Sequence, residues 1–421
     1  MITSNLYVHL QRPDNGEWIT VGRYTLNRAQ HNNEMSTGQF VYAPSYIDAG
    51  HPWIIDPINL PRLDQKVIYP APRYDGMIDV LRDISPDAWG KLLIQRAHQL
   101  PNTAHEIDYL INASNADRWG ALTVSKTKRP NPANAASPKL AKLDELVEEL
   151  QLMAEQKSPK YADLRNRLTK TSSLGGARPK ATVQDKSDYW LVKPTIVTDA
   201  VNTALIEFAA MSWGTRAKLN MAESRIYQDN ARTAVLIKRF DRVGAQRQMV
   251  ISGASLLETE YPSGKYTSVQ NQSRWSYPLL AQAMRRIGVP ISDLNELFGR
   301  MIFNALCGND DDHPRNHAVI WNESEHKWRL SPAFDIVPNI FAPPKQLAMQ
   351  LSTNRWDINK ESLMADWRYF GFDSSESAEL YKNQMIGKII GAAEGLEADG
   401  MPSEQAHYLR VHMQEITNLI I

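Results

Sequence analysis

Apolar residues come in short runs between Leu6 and Tyr46, in LYVHL, WITVGRYTL and QFVYAPSYI, separated by turn-prone segments such as PDNGE. That pattern predicts a small β-sheet at the start of the chain. In ISPDAWGKLLIQRAHQL the spacing becomes helical, with Ser85 expected as N-cap, Pro86 in the first helical position and Asp87 in the first turn. A strand is predicted at ALTVSK. The following KRPNPANAASPK has no periodicity and reads as a surface loop or linker. LAKLDELVEELQLMAEQ repeats apolar residues at three and four and predicts an amphipathic helix. SSLGGARPKATVQ and DYWLVKPT read as two β segments around a glycine-rich connection, a place for a nucleotide. NTALIEFAAMSW predicts a helix, and TAVLIKRFDR a buried strand that leaves a charged end. From about Trp275 onward helical patterns dominate, in YPLLAQAMRRIG, ISDLNELFGRMIFNALCG and HYLRVHMQEITNLII. One interruption stands out: HAVIW and KWRL flank NESEH and predict a hairpin directly after the stretch GNDDDHPRNH.

Composition narrows the class. A chain of 421 residues, 43% hydrophobic and 22% charged, fits two or three globular domains with a substantial core. Forty-seven basic residues balance 47 acidic ones, so no global positive field points to nucleic acid or to a membrane surface. Cys307 is the only cysteine, which excludes an intramolecular disulfide and a multi-cysteine zinc site. It reads as a small apolar residue closing a buried helix. The start lacks a cationic region followed by a long apolar stretch, and no run of about 20 apolar residues occurs, so the cytoplasm is the expected location. No repeat at solenoid period is present.

The acidic stretch Gly308 to His317 can be tested against known chemistries. A zinc protease helix needs histidines at i and i+4 with a glutamate between them. His313 and His317 have the spacing, but Pro314 follows His313 and no glutamate intervenes. A calcium loop beginning at Asp310 would need glycine at its sixth position and glutamate at its twelfth, where Arg315 and Trp321 stand. Phosphoryl transfer fits better. The protein-kinase signature sets four residues between an aspartate that orients the attacking hydroxyl and an asparagine that offers its amide oxygen to magnesium. Counting back from Asn316 selects Asp311. A second magnesium ligand should follow a short hairpin, and SPAFDI supplies Asp335, nineteen residues beyond Asn316. Upstream, Lys193 in WLVKP suits a strand lysine on the phosphates, and Glu207 in LIEFAA suits the acid that orients it. The glycines of SSLGGARPK permit close backbone approach to phosphate. Asp310 and Asp312 read as solvated or structure-capping acids. His313 is placed with the nucleotide-binding group, its ring expected to hydrogen-bond the loop backbone and hold Asp311.

The order SSLGGARPK, WLVKP, LIKRFDR, DDDHPRN, LSPAFDI resembles the HipA family of bacterial serine/threonine kinases, the toxins of HipBA-type toxin–antitoxin systems. The resemblance spans nearly the whole chain, since the opening strands and ISPDAWGKLLIQRA also look like that family's N-terminal subdomain. It implies an α+β, two-lobed protein-kinase-like fold with a β-rich N-terminal subdomain over residues 1–125, a small lobe over 140–243 and a helical lobe over 244–421. It implies an ATP- and Mg2+-dependent kinase with Asp311 as catalytic base, Asn316 and Asp335 as metal ligands and Lys193 on phosphate. The phosphate loop falls on Gly175, Gly176, Ala177, Arg178, Pro179 and Lys180, and the adenine hinge on Lys238, Arg239 and Phe240. Ser173, with Ser172 beside it, matches the serine that such kinases autophosphorylate to switch themselves off. The implied partners are a helix-turn-helix antitoxin of HipB type and a protein substrate, with an aminoacyl-tRNA synthetase or another translation component as a candidate. DNA would be reached only through the antitoxin, and no membrane contact is expected. Two alternatives share the residues: a small-molecule phosphotransferase, and a non-catalytic corepressor that keeps a kinase cleft.

Overall fold

The computed structural model describes residues 2–29, 35–130, 137–171, 178–229, 231–260, 273–342 and 344–421. Its contacts divide the chain into two compact units, Met1–Lys193 with Asp241–Ile251, and Pro194–Phe240 with Ser252–Ile421. Among the described residues, no helix is long and apolar enough to cross a membrane.

The first unit opens with the expected sheet. Five antiparallel strands lie in the order Tyr69–Ala71, Thr37–Tyr42, Trp18–Arg28, Ile2–Gln11, Leu122–Ser125. Alternation places Val8, Leu10, Val21, Tyr24, Leu26 and Phe40 in its core. Two expectations are corrected here. The strand read into QFVYAPSYI stops at Tyr42, because Pro44 fixes φ and starts the helix Pro44–Asp48. Ser85 does not cap the next helix. Its hydroxyl donates to the Leu81 carbonyl at 2.9 Å, closing the preceding helix Asp79–Asp83, while Asp87 occupies the N-cap of Ala88–His98.

The amphipathic helix forms as Leu143–Ala154, with Leu146, Val147, Leu150 and Met153 buried. Its one buried acid, Glu149, accepts from the Lys160 and Tyr161 amides at 3.1 and 3.0 Å and pairs with Arg165, tying down the start of helix Ala162–Thr171. Strands Ala181–Asp185 and Asp188–Pro194 then pair as a hairpin. Their connection is Lys186 and Ser187, with Lys186 at φ 53°, so the glycines precede both strands rather than joining them.

In the second unit, helix Thr203–Arg216 is capped by Asn202, whose side chain accepts from the Leu205 amide, and Trp213 Nε1 donates to the Ile389 carbonyl at 2.8 Å. Strand Thr233–Lys238, buried from Thr233 to Ile237, pairs antiparallel with Ser224–Gln228. The centre is helix Ile291–Cys307, packed by helices Tyr277–Arg286, Ser375–Ala392 and Ser403–Ile420. Every residue from Leu297 to Cys307 is buried, so its polar members need partners. Arg300 finds them in Glu296 at 3.0 Å and the Asn220 carbonyl at 3.1 Å. The expected hairpin follows, Ala318–Asn322 against Lys327–Leu330. Asp293, in the first turn of the central helix, clamps it: Arg329 donates to both carboxylate oxygens at 2.8 and 2.9 Å, and the Leu330 amide donates at 2.8 Å.

Burial pushes the Asp293 carboxyl up, but the Arg329 guanidinium and the Leu330 amide outweigh it and hold the group below the ordinary aspartate range. Its stabilisation is therefore present above that range and is lost as pH falls through the lowered value. Asp293→Ala is expected to lower stability by about 1–3 kcal/mol near neutral pH. Denaturant melts of the two proteins should converge in acid.

Candidate active site

The central helix ends on Gly308, at φ 77°, a left-handed position that suits glycine and turns the chain into the acidic stretch. A Cβ there would lie 3.1 Å from His412 Nε2. Residues Pro314–Asn316 make a single 3-10 turn, and the chain enters the hairpin through His317, whose carbonyl accepts from the Gly253 amide at 2.7 Å. Gly253 is glycine for a spatial reason: a Cβ would sit 2.7 Å from the Pro314 carbonyl oxygen.

Within this loop the spacing read from the sequence becomes geometry. Asn316 Nδ2 donates to the Asp311 carbonyl at 3.0 Å. Because a carbonyl can only accept, the amide nitrogen is committed to the loop and the amide oxygen is the group left to offer to a cation. Asp311 is solvent-exposed, and its carboxylate accepts no hydrogen bond from a described residue. The surrounding protein still desolvates it enough to raise its pKa. His313 pulls it back down, and Asp335 and Asp310 add repulsion that raises it further. Asp335 and Asp310 thus both act electrostatically on Asp311.

Asp335 is half-buried and has φ 60°, an uncommon region for any residue but glycine. Strain of this kind concentrates at functional sites. Its approach is fixed by pairing: the Ala333 amide donates to the Asn220 carbonyl at 2.8 Å, and the Ala222 amide donates to the Ala333 carbonyl at 2.9 Å. Phe334 packs against Phe240, ring centroids 5.4 Å apart, which places one of the expected hinge residues beside the segment bearing Asp335.

The two remaining aspartates differ. Asp310 accepts from Asn339 Nδ2 at 2.9 Å. Asp312 is buried, accepts from the Tyr277 hydroxyl and, at 3.0 Å, from the Ala348 amide, and is not solvated. Burial raises its pKa to about 7 against these hydrogen bonds. His317 is also buried, which lowers its pKa to about 3, helped by Arg300 and His313, so its ring is neutral. It lines a cavity of about 10 Å3 with Arg300, Asn304, Asn309, Asp312 and Asn316, which Ala333, Phe334 and Ile336 also line, room for one water. His313 makes no backbone hydrogen bond through Nδ1, which has no partner among the described residues, and its ring lies 6.2 Å from Trp275. Its effect on Asp311 is electrostatic.

The other predicted residues are distributed as follows. Lys193, the penultimate residue of strand Asp188–Pro194, lies in the first unit and is buried; Lys180 and Pro179 are buried and Arg178 half-buried in the same unit. Glu207 is buried on helix Thr203–Arg216 of the second unit, not a solvated acid. Lys238 lies 3.4 Å from the Glu223 carboxylate, its amide donates to the Glu223 carbonyl, and Arg239 is buried. Ser172, Ser173, Gly175, Gly176 and Ala177 lie outside the described residues. Among those described, no cluster of three or more His, Cys, Asp or Glu could hold a metal. The uncommitted amide oxygen of Asn316 is a donor of the type magnesium takes, an ion that commonly binds one or two protein oxygens and completes its shell with phosphate and water.

Two stability measurements probe the site. The left-handed backbone at Asp335 costs a residue bearing a Cβ about 1–2 kcal/mol, so Asp335→Gly should be more stable than Asp335→Ala by about that amount in urea melts. Asp311 has its pKa raised by folding, so its charged form is disfavoured in the native state and wild-type stability falls as pH rises through the raised value. Asp311→Asn should therefore melt above the wild type near neutral pH, with the gap closing in acid.

Comparison with known proteins bears on the fold and the family. A family model described as the HipA-like C-terminal domain matches residues 172–395, over half of the chain. A Haemophilus influenzae protein named "Putative kinase" is 31% identical over 177 residues, which are 39% of this chain and 50% of that protein. The chain thus spans about half the length of the curated relative it matches. A solved structure of the Shewanella oneidensis MR-1 toxin–antitoxin system, HipA and HipB with operator DNA, matches with a TM-score of 0.70 at 16% identity, covering 99% of this chain and 98% of that one. The fold is the α+β, HipA-like kinase fold implied by the sequence. On the extent of the family match, this chain belongs to the family of the HipA-like C-terminal domain.

Proposed function

We propose that the protein is an ATP- and Mg2+-dependent serine/threonine protein kinase of HipA type, and that Asp311 is its catalytic base. The observation that carries this reading is the loop closed by Asn316 Nδ2 on the Asp311 carbonyl, with Asp335 near enough to raise the Asp311 pKa. In the proposed reaction an Asp311 carboxylate oxygen accepts the proton of the substrate hydroxyl. The hydroxyl oxygen bonds to the γ-phosphorus as the bond to the bridging oxygen of ADP breaks. General-base assistance of this kind contributes roughly 10²- to 10⁴-fold. Asn316 and Asp335 would hold Mg2+, which supplies charge neutralisation at the transferring phosphoryl group. Lys193, with Glu207 as its orienting acid, and the stretch Gly175 to Lys180 would hold the phosphates, and Lys238, Arg239 and Phe240 the adenine. His313 tunes the charge on Asp311.

The finer assignments rest on the family. Ser173 or Ser172 is the proposed autophosphorylation site, and the segments 1–125, 140–243 and 244–421 the proposed domains. A HipB-type helix-turn-helix antitoxin is the proposed partner, with DNA reached through it, as the Shewanella complex contains HipA, HipB and operator DNA. The proposed substrate is a protein of the translation machinery, and the location cytoplasmic. Purified wild type incubated with Mg2+ and γ-labelled ATP should incorporate label, and Asp311→Ala should lose at least about 100-fold of that rate. Mass spectrometry then maps the phosphate. Equal labelling of both proteins would sink the assignment of the base, and phosphate away from Ser172 and Ser173 would refute the autophosphorylation site alone.

A further inference from the structure

Both neighbours of Asp311 are tied to the protein, and the tie through Asp312 is the more extensive. Asp312 Oδ1 accepts from the Ala348 amide at 3.0 Å and stands 3.5 Å from the Met349 amide. Asp312 Oδ2 accepts from the Tyr277 hydroxyl. That hydroxyl accepts from Asn304 Nδ2 at 2.8 Å, and Asn304 Oδ1 accepts from Asn309 Nδ2 at 3.1 Å. Asn309 Oδ1 in turn receives the Val337 amide at 3.4 Å. The chain of bonds therefore runs from the backbone two residues past Asp335, through the central helix and helix Tyr277–Arg286, to the residue after Asp311, and on to residue 348. Asp312, Tyr277, Asn304 and Asn309 are all at least 96% buried.

A network of this kind favours the arrangement in which every member is paired, because a buried polar group left unpaired keeps its full desolvation cost. It fixes the register of the loop on the side where Asp311 itself makes no side-chain bond. We propose that Asp312 is a positioning residue for phosphoryl transfer: its buried link to Tyr277 holds the loop so that the Asp311 carboxylate stays at the reacting hydroxyl. The role rests on the kinase reading above, and it separates two adjacent aspartates into a base and its anchor. Asp310 has a single side-chain bond from Asn339 and a half-exposed position, and it does not share this role.

The test compares wild type, Asp312→Ala, Asp312→Asn, Tyr277→Phe and the Tyr277→Phe/Asp312→Ala double variant. Rates of labelled phosphate incorporation are measured across Mg2+-ATP concentrations, with a thermal melt of each protein. Displacement of a reacting group by about 1 Å costs on the order of 100-fold in rate, so Asp312→Ala should lose about that in the saturated rate. Half-saturating ATP should stay within about threefold, since ATP contacts are not removed. Asp312→Asn keeps an acceptor for the Ala348 amide but turns an NH2 toward the Tyr277 hydroxyl, which loses its acceptor, so it should lose about tenfold, as Tyr277→Phe does. Tyr277→Phe removes one oxygen, keeps the ring, and carries the test if Asp312→Ala does not fold; it should lose about tenfold, with the double variant no slower than Asp312→Ala. A saturated rate equal to wild type in Asp312→Ala or Tyr277→Phe, whatever the melt, overturns the proposal as a purely structural role. So does a change confined to half-saturating ATP, or a double variant in which the two losses multiply. A wild type with no Mg2+-ATP-dependent labelling fails the kinase reading instead, and the positioning role falls with it.

Discussion

The hydrogen bond from Asn316 Nδ2 to the Asp311 carbonyl, 3.0 Å long, is the constraint on which the candidate site depends. It closes the loop across the four residues between Asp311, the proposed base, and Asn316, a proposed metal ligand, and it sets which end of the Asn316 amide is presented. A bond of this type is worth only about 0.5–1.5 kcal/mol in stability. Its value lies in orientation, and it needs rigid surroundings. Those come from the central helix Ile291–Cys307, buried on all sides over its last three turns and stopped by Gly308 in the left-handed region. The helix fixes where the loop leaves, and the His317 carbonyl held by the Gly253 amide fixes where it rejoins the fold.

Much of this was legible in the sequence, for identifiable reasons. The long helices are read easily because 3.6-residue periodicity persists over many residues, as in ISDLNELFGRMIFNALC. The hairpin after the acidic stretch is read because two short apolar strands flank NESEH. The functional spacing is legible because covalent chain length limits what a closed loop can span, so the interval between Asp311 and Asn316 carries geometric information without any knowledge of the fold. Strand Ser224–Gln228 was not read. Most of it is half-buried or exposed, so its apolar signal is weak, and it exists because Thr233–Lys238 pairs with it. Ser85 was misassigned because a serine before a helix can serve the helix that ends or the one that begins, and only the packing decides.

Asp312 shows a deeper limit. Three adjacent aspartates have no periodicity from which burial could be inferred, and the partner that buries the third lies 35 residues upstream at Tyr277. The same holds for Glu149: an acid on an amphipathic helix carries no local sign of burial until its partners are known. Glu149 is buried because the Lys160 and Tyr161 amides and Arg165 converge on it after a turn that the local pattern does not reveal.

The electrostatics of the stretch follow from dividing the labour among the three acids. Fully ionised and unpartnered, adjacent carboxylates would repel and favour an open loop. Asp310 is stabilised by an amide nitrogen of Asn339, and Asp312 by a phenol and a backbone amide, neither of which brings a positive charge. The Asn339 dipole holds Asp310 in place without neutralising the field that Asp310 puts on Asp311. Asp311 thus remains in a negative environment, with Asp335 adding to it and His313 the counterweight among the groups that act on it. Such a site is poorly suited to a lone acid and well suited to one that works beside a divalent cation, because the repulsion that raises the pKa without the cation becomes attraction for it. The energetic tension in the loop and the chemistry proposed for it then have the same source.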